Sequence, residues 1–116
     1  MKIVNLTPHT VQLHGFNAAG DKAGVTLPSS GCQARLLVTR TTAGTVETDG
    51  GITLAVVRPT MGDITGLPSP TEGVIYIVSA LVAEKAKRAD VFAPGELLRD
   101  AAGVVVGAKG LTTYSP

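Results

Sequence analysis

The chain has 116 residues, with ten Lys and Arg against nine Asp and Glu for a formal net charge of +1. It is 44% apolar, with only Phe16, Tyr76, Phe92 and Tyr114 as aromatic residues. That size suits one domain, residues 1–116, around one core. The near-neutral charge and the shortage of rings argue against general attraction to DNA, RNA or an anionic membrane.

Near the N-terminus, Val4 and Leu6 alternate with Asn5 and Thr7, and Val11 and Leu13 alternate with Gln12 and His14. This is the period of half-buried strands. Pro8 lies between the two runs and biases Thr7 towards extended backbone, so a bend is expected at Thr7-Pro8-His9. No long apolar run follows Met1, so neither a signal peptide nor a membrane anchor is expected. The single cysteine, Cys32, suits a reducing compartment.

Asn17 to Gly31 is rich in Gly, Ala, Ser and Asp and predicts a long loop enclosing a brief strand at Val25 and Leu27. Gln33–Thr41, Thr45–Thr48 and Ile52–Arg58 predict three strands, joined into hairpins by turns at Ala43-Gly44 and Asp49-Gly50-Gly51. Met61 to Gly73 predicts an ordered connection without regular structure, because three glycines and two prolines punctuate it.

Val74-Ile75-Tyr76-Ile77-Val78 lacks polar alternation, which predicts a central strand covered on both faces. Ser79 is placed to cap a short helix over Ala80–Lys87, whose basic end at Lys85, Lys87 and Arg88 suits a helix C-terminus better than a phosphate track. Ala89–Ala93 predicts a returning strand. A last hairpin is expected around Asp100-Ala101-Ala102-Gly103. The expected fold is therefore α+β: a mostly antiparallel sheet, compact or curled into a partial barrel, with one short helix after a central strand.

The chain carries no recognisable catalytic constellation, and no metal or cofactor is expected. His9 and His14 have no Cys or carboxylate at a familiar ligand spacing. The Gly62/Gly66 and Gly103/Gly107/Gly110 sets do not lead into helices, as phosphate loops do. Ser79 stands where a strand feeds a helix, a place that can receive an anion, although an N-cap serine ordinarily satisfies its own helix. Arg58 and Arg99 draw attention among the arginines because they end strands beside Pro59 and Asp100. Arg88 and Asp90 flank the helix end.

Asn5-Leu6-Thr7-Pro8-His9, Gly66-Leu67-Pro68, Gly73 to Ser79 and Leu81-Val82-Ala83 resemble a family of small uncharacterised proteins of tailed phages, prophages and high-GC bacteria. The likeness continues through Arg88-Ala89-Asp90, Pro94-Gly95, Arg99-Asp100 to Gly103, Gly107 and Gly110-Leu111, and is loose over Asn17–Arg58. It implies a phage-derived accessory protein in the cytosol of a bacterial host. By analogy with other phage proteins of this size, one expectation is a non-enzymatic protein that sequesters a small anionic ligand such as a nucleotide-derived defence signal. Its contacts would be Thr7, His9, Ser79, Arg88, Arg99 and Asp100, closed by a second copy in a homo-oligomer, most simply a dimer. The alternative is a protein-interaction or structural module, either a virion accessory factor or an inhibitor of a host protein.

Overall fold

A computed structural model describes all of residues 1–116. Eight strands and one helix follow in the order β1 (Lys2–Asn5), β2 (Val11–Phe16), β3 (Lys22–Leu27), β4 (Arg35–Glu47), β5 (Thr53–Thr65), β6 (Val74–Ile77), α1 (Ala80–Ala86), β7 (Val91–Arg99) and β8 (Val105–Thr113). Six strands form a curled half-barrel sheet in the order β1-β6-β7-β8-β2-β3, while β4 and β5 form a separate two-stranded ribbon. The hairpins β2–β3, β4–β5 and β7–β8 are antiparallel, and β1–β6, β6–β7 and β2–β8 are shorter parallel pairings. No helix is long and apolar enough to cross a membrane.

The unbroken apolar run of β6 fills two cores at once. Tyr76 and Val78 enter a cluster with Leu6, Ala34, Val82, Ala83, Val91 and Ala93, in which α1 covers the sheet. Ile77 points the other way, to Leu13 and Ala108 inside the curl. Because side chains alternate along a strand, only a segment apolar on both sides can do this. The interior position of β6, between β1 and β7, is therefore as its sequence predicts.

Ser79 caps α1, its Oγ accepting from the Val82 N–H, and Lys87 ends the helix in the left-handed conformation with φ 51°. The turn at Asp49–Gly51 also forms as expected: Thr48 N–H donates to the Ile52 carbonyl, and Gly51 has φ +81°.

Two expectations in the middle of the chain are corrected. Ala43-Gly44 is not a turn but a bulge in one continuous strand, where Thr42 pairs with Val57 and Gly44 with Val56. Gly44 takes φ +132°, and glycine tolerates that angle in a bulge as readily as in a turn. The stretch Met61–Thr65 belongs to β5, so a single long hairpin replaces two short ones. Pro59 is accommodated inside β5 because both strands of a two-stranded ribbon are edges. Two shorter revisions follow the same pattern: β3 runs over six residues, and β7 continues through Pro94-Gly95.

The β4–β5 ribbon projects from the body. Leu36 and Ile64 at its root pack on the first core, whereas every residue from Thr39 to Met61 is exposed. The Cα radius of gyration is 18.4 Å, with extents of 63 × 40 × 29 Å. A compact chain of this length would have a radius of about 13–14 Å.

Candidate functional site

The six side chains singled out from the sequence fall in three places, and five of them are engaged in local hydrogen bonds. Asn5 and Thr7 are the two buried polar residues. Thr7 Oγ1 lies 2.7 Å from Asn5 Oδ1 and 3.0 Å from the His9 carbonyl. Asn5 Oδ1 also accepts from the Thr7 N–H at 3.0 Å, while Asn5 Nδ2 donates to the carbonyls of His9 and Leu27, each at 2.8 Å. The Asn-Leu-Thr-Pro-His run is thus a polar knot that ties the β1–β2 bend to the end of β3. His9 itself is exposed.

At the ends of α1, Ser79 is the cap described above. Arg88 forms a two-pronged pair with Asp90, at 2.9 Å from Nε and 2.6 Å from Nη2, and donates from Nη1 to the Pro68 carbonyl at 3.0 Å. Asp90 is held below the usual carboxylate range, first by these hydrogen bonds and then by the Arg88 charge, against an opposing effect of burial. In the β7–β8 turn, Arg99 Nη1 donates to the Gly103 carbonyl at 2.9 Å. Asp100 Oδ1 accepts from the N–H groups of Ala102 and Val104 at 2.9 and 3.0 Å, which fixes the turn.

A different group of polar side chains converges on the outer face of the half-barrel. In β2 and β3, Phe16 stands opposite Lys22 and His14 opposite Gly24. In the parallel pairing with β8, His14 stands beside Lys109. His14, Phe16, Lys22, Lys109 and Leu98 line a shallow hollow of about 320 Å³. Phe16 is 69% exposed, so its ring is free to stack.

Two glycines leave room for the His14 imidazole over the sheet. A Cβ at Gly24 would lie 3.4 Å from Nδ1, and one at Gly107 only 2.6 Å from Nε2. The ring therefore occupies space that a side chain would fill on β8. Lys22 and Lys109 form no ion pair, since the one salt bridge of the chain is Arg88–Asp90. Glu96 is opposite Lys109 in the β7–β8 register and moderates the local positive charge.

Sequence reasoning passed over this group because its members come from β2, β3 and β8, which only the folded sheet brings together. The usable signals were the aromatic Phe16, in strand phase with polar Gln12 and His14, and the cation at Lys22. Chemically, the face offers an aromatic surface, two ammonium donors and an imidazole within one hollow. No group of three or more His, Cys, Asp or Glu side chains is arranged to hold a metal ion. Comparisons with protein-family models, curated proteins and solved structures found no match.

Proposed function

We propose that the protein is a non-enzymatic, phage-derived accessory protein that binds a small anionic ligand of the nucleotide-derived signalling class in the bacterial cytosol. The observation that carries this proposal is the juxtaposition of exposed Phe16 with Lys22, Lys109 and His14 on one sheet face. Aromatic rings stack on bases, and ammonium groups bind phosphate as point charges. A homo-oligomer would deepen the shallow hollow by adding a wall from a second copy.

Calorimetric titration with cyclic dinucleotides and ADP-ribose tests this function. Binding that weakens with added salt and falls about ten- to a hundredfold in Lys22→Ala or Lys109→Ala is the expected result, the size of a lost charge-assisted hydrogen bond. Absence of binding to every such probe would remove the ligand function.

The second reading is a protein-interaction or structural module. It is favoured by one specific observation, the exposed β4–β5 ribbon with Leu37, Val46, Ile52, Leu54, Val56 and Val57 at the surface.

A further inference from the structure

We infer that the β4–β5 ribbon is a dimerisation arm, packing through one of its two faces against the same ribbon of a second copy. The inference deepens the homo-oligomer stated above and rests on it.

The two faces of the ribbon differ. Leu36, Ile64, Val38 and Met61 mark the face that meets the core and α1 at the root. The opposite face carries Leu37 at the root, where Gly62 leaves room for its side chain. Further out on that face, Val46 and Leu54 stand directly across from one another, and Val56 lies two residues along from Leu54 opposite Gly44. All four aliphatic side chains are between 39% and 59% exposed. Threonines Thr39, Thr41 and Thr60 separate the two groups, and the charges on this face are Arg58 and, in the bulge opposite Leu37, Asp63.

A two-stranded hairpin is at best marginally stable alone in water. This one extends beyond anything its own chain could cover it with, every residue from Thr39 to Met61 being exposed. The missing cover must therefore come from outside the chain.

The dimensions fit a second copy. Thirteen residues at about 3.3 Å and two strands about 4.8 Å apart give each face a footprint of about 400 Å². A symmetric pair of arms then covers about 800 Å² in projection, and more once the corrugation of side chains is included, which approaches the range of a modest specific interface. A two-fold axis requires self-complementarity, and a Thr- and aliphatic-rich face whose two charges, Arg58 and Asp63, are opposite in sign meets that condition without net like-charge repulsion.

Sedimentation equilibrium of the full chain, over concentrations up to its solubility limit, tests the assignment. Wild type should be a dimer. Val46→Lys and Leu54→Lys should each weaken it about tenfold or more, while Val57→Lys, on the other face, should leave it within about twofold. Circular dichroism and thermal melting of each variant establish that the body is folded. A dimer unaffected by Val46→Lys and Leu54→Lys overturns the arm assignment and leaves the oligomer standing. Equal loss in all three variants also overturns it, since the faces would then not differ. A wild type that remains monomeric throughout overturns both.

Discussion

The His14 imidazole lies across Gly107: a methyl group built on that glycine would stand 2.6 Å from Nε2 and 2.8 Å from Cδ2. Backbone angles do not require glycine here, because Gly107 is not among the residues with positive φ. The requirement is space. Gly107→Ala should therefore push the ring off the sheet, and because His14 is exposed and its ring can turn into solvent the cost should be about 0.5–1.5 kcal/mol, that of a displaced rotamer. In a His14→Ala background most of that cost should vanish, leaving the milder approach to the Gln12 carbonyl at 3.2 Å. A double-mutant cycle from denaturant melts measures the difference. Additive costs would mean that the ring does not occupy this space in solution.

Asn5 carries a second prediction. Its side chain satisfies two carbonyls, a backbone N–H and the Thr7 hydroxyl at a site where Asn5 is only 2% exposed. Asn5→Leu would strand these groups away from water and should cost about 2–4 kcal/mol. Asn5→Asp should also destabilise at neutral pH, because a carboxylate oxygen would replace the amide donor facing the His9 and Leu27 carbonyls. Chemical denaturation of both variants gives the result, and a cost below about 0.5 kcal/mol, typical of surface substitutions, would show the knot to be dispensable.

The Arg88–Asp90 pair makes stability depend on acid. The carboxyl of Asp90 is lowered in the folded state, so folding favours its ionised form, and the contribution is present above the unfolded value near pH 4. It is lost as pH falls through the lower folded value. Arg88→Ala should remove this part of the acid dependence as well as the tie to Pro68. Both side chains are 20–25% exposed, so solvent screening limits the effect at neutral pH to about 1 kcal/mol. Melting temperatures from pH 7 down to pH 2 test the sign. A gap between wild type and variant that widens on acidification would contradict it.

The parts of this fold that were legible in the sequence are those decided locally. Ser79 caps a helix within three residues of itself, Asp49-Gly50-Gly51 closes a tight turn, and the non-alternating run at Val74–Val78 demands cover on both faces. The long ribbon was misread because Gly44 and Gly62 are compatible with turns when seen alone. Only the pairing of distant strand residues shows that Gly44 bulges and Gly62 makes room for Leu37. The outer-face hollow was illegible for a similar reason, since the parallel β2–β8 pairing joins His14 to Lys109 across most of the chain. Composition had also discounted ring stacking, yet one aromatic of four is exposed where two lysines stand.

Comparing Arg99 with Lys109 separates a turn from a ligand site. Arg99 already donates to the Gly103 carbonyl of its own hairpin, and Asp100 fixes the same turn through two backbone N–H groups. Arg99→Ala removes one exposed hydrogen bond and should cost about 0.5–1 kcal/mol of stability. If the outer face is the ligand site, that substitution should leave affinity within about twofold. Lys109→Ala has no hydrogen bond or ion pair of its own to lose and should change stability by less than about 0.5 kcal/mol, while reducing affinity for a phosphate-bearing probe about ten- to a hundredfold. Melts and calorimetric titrations on both variants give two independent numbers for each. The reverse pattern, with affinity lost in Arg99→Ala and retained in Lys109→Ala, would move the site to the β7–β8 turn and leave the His14 face as a packed but unoccupied part of the sheet.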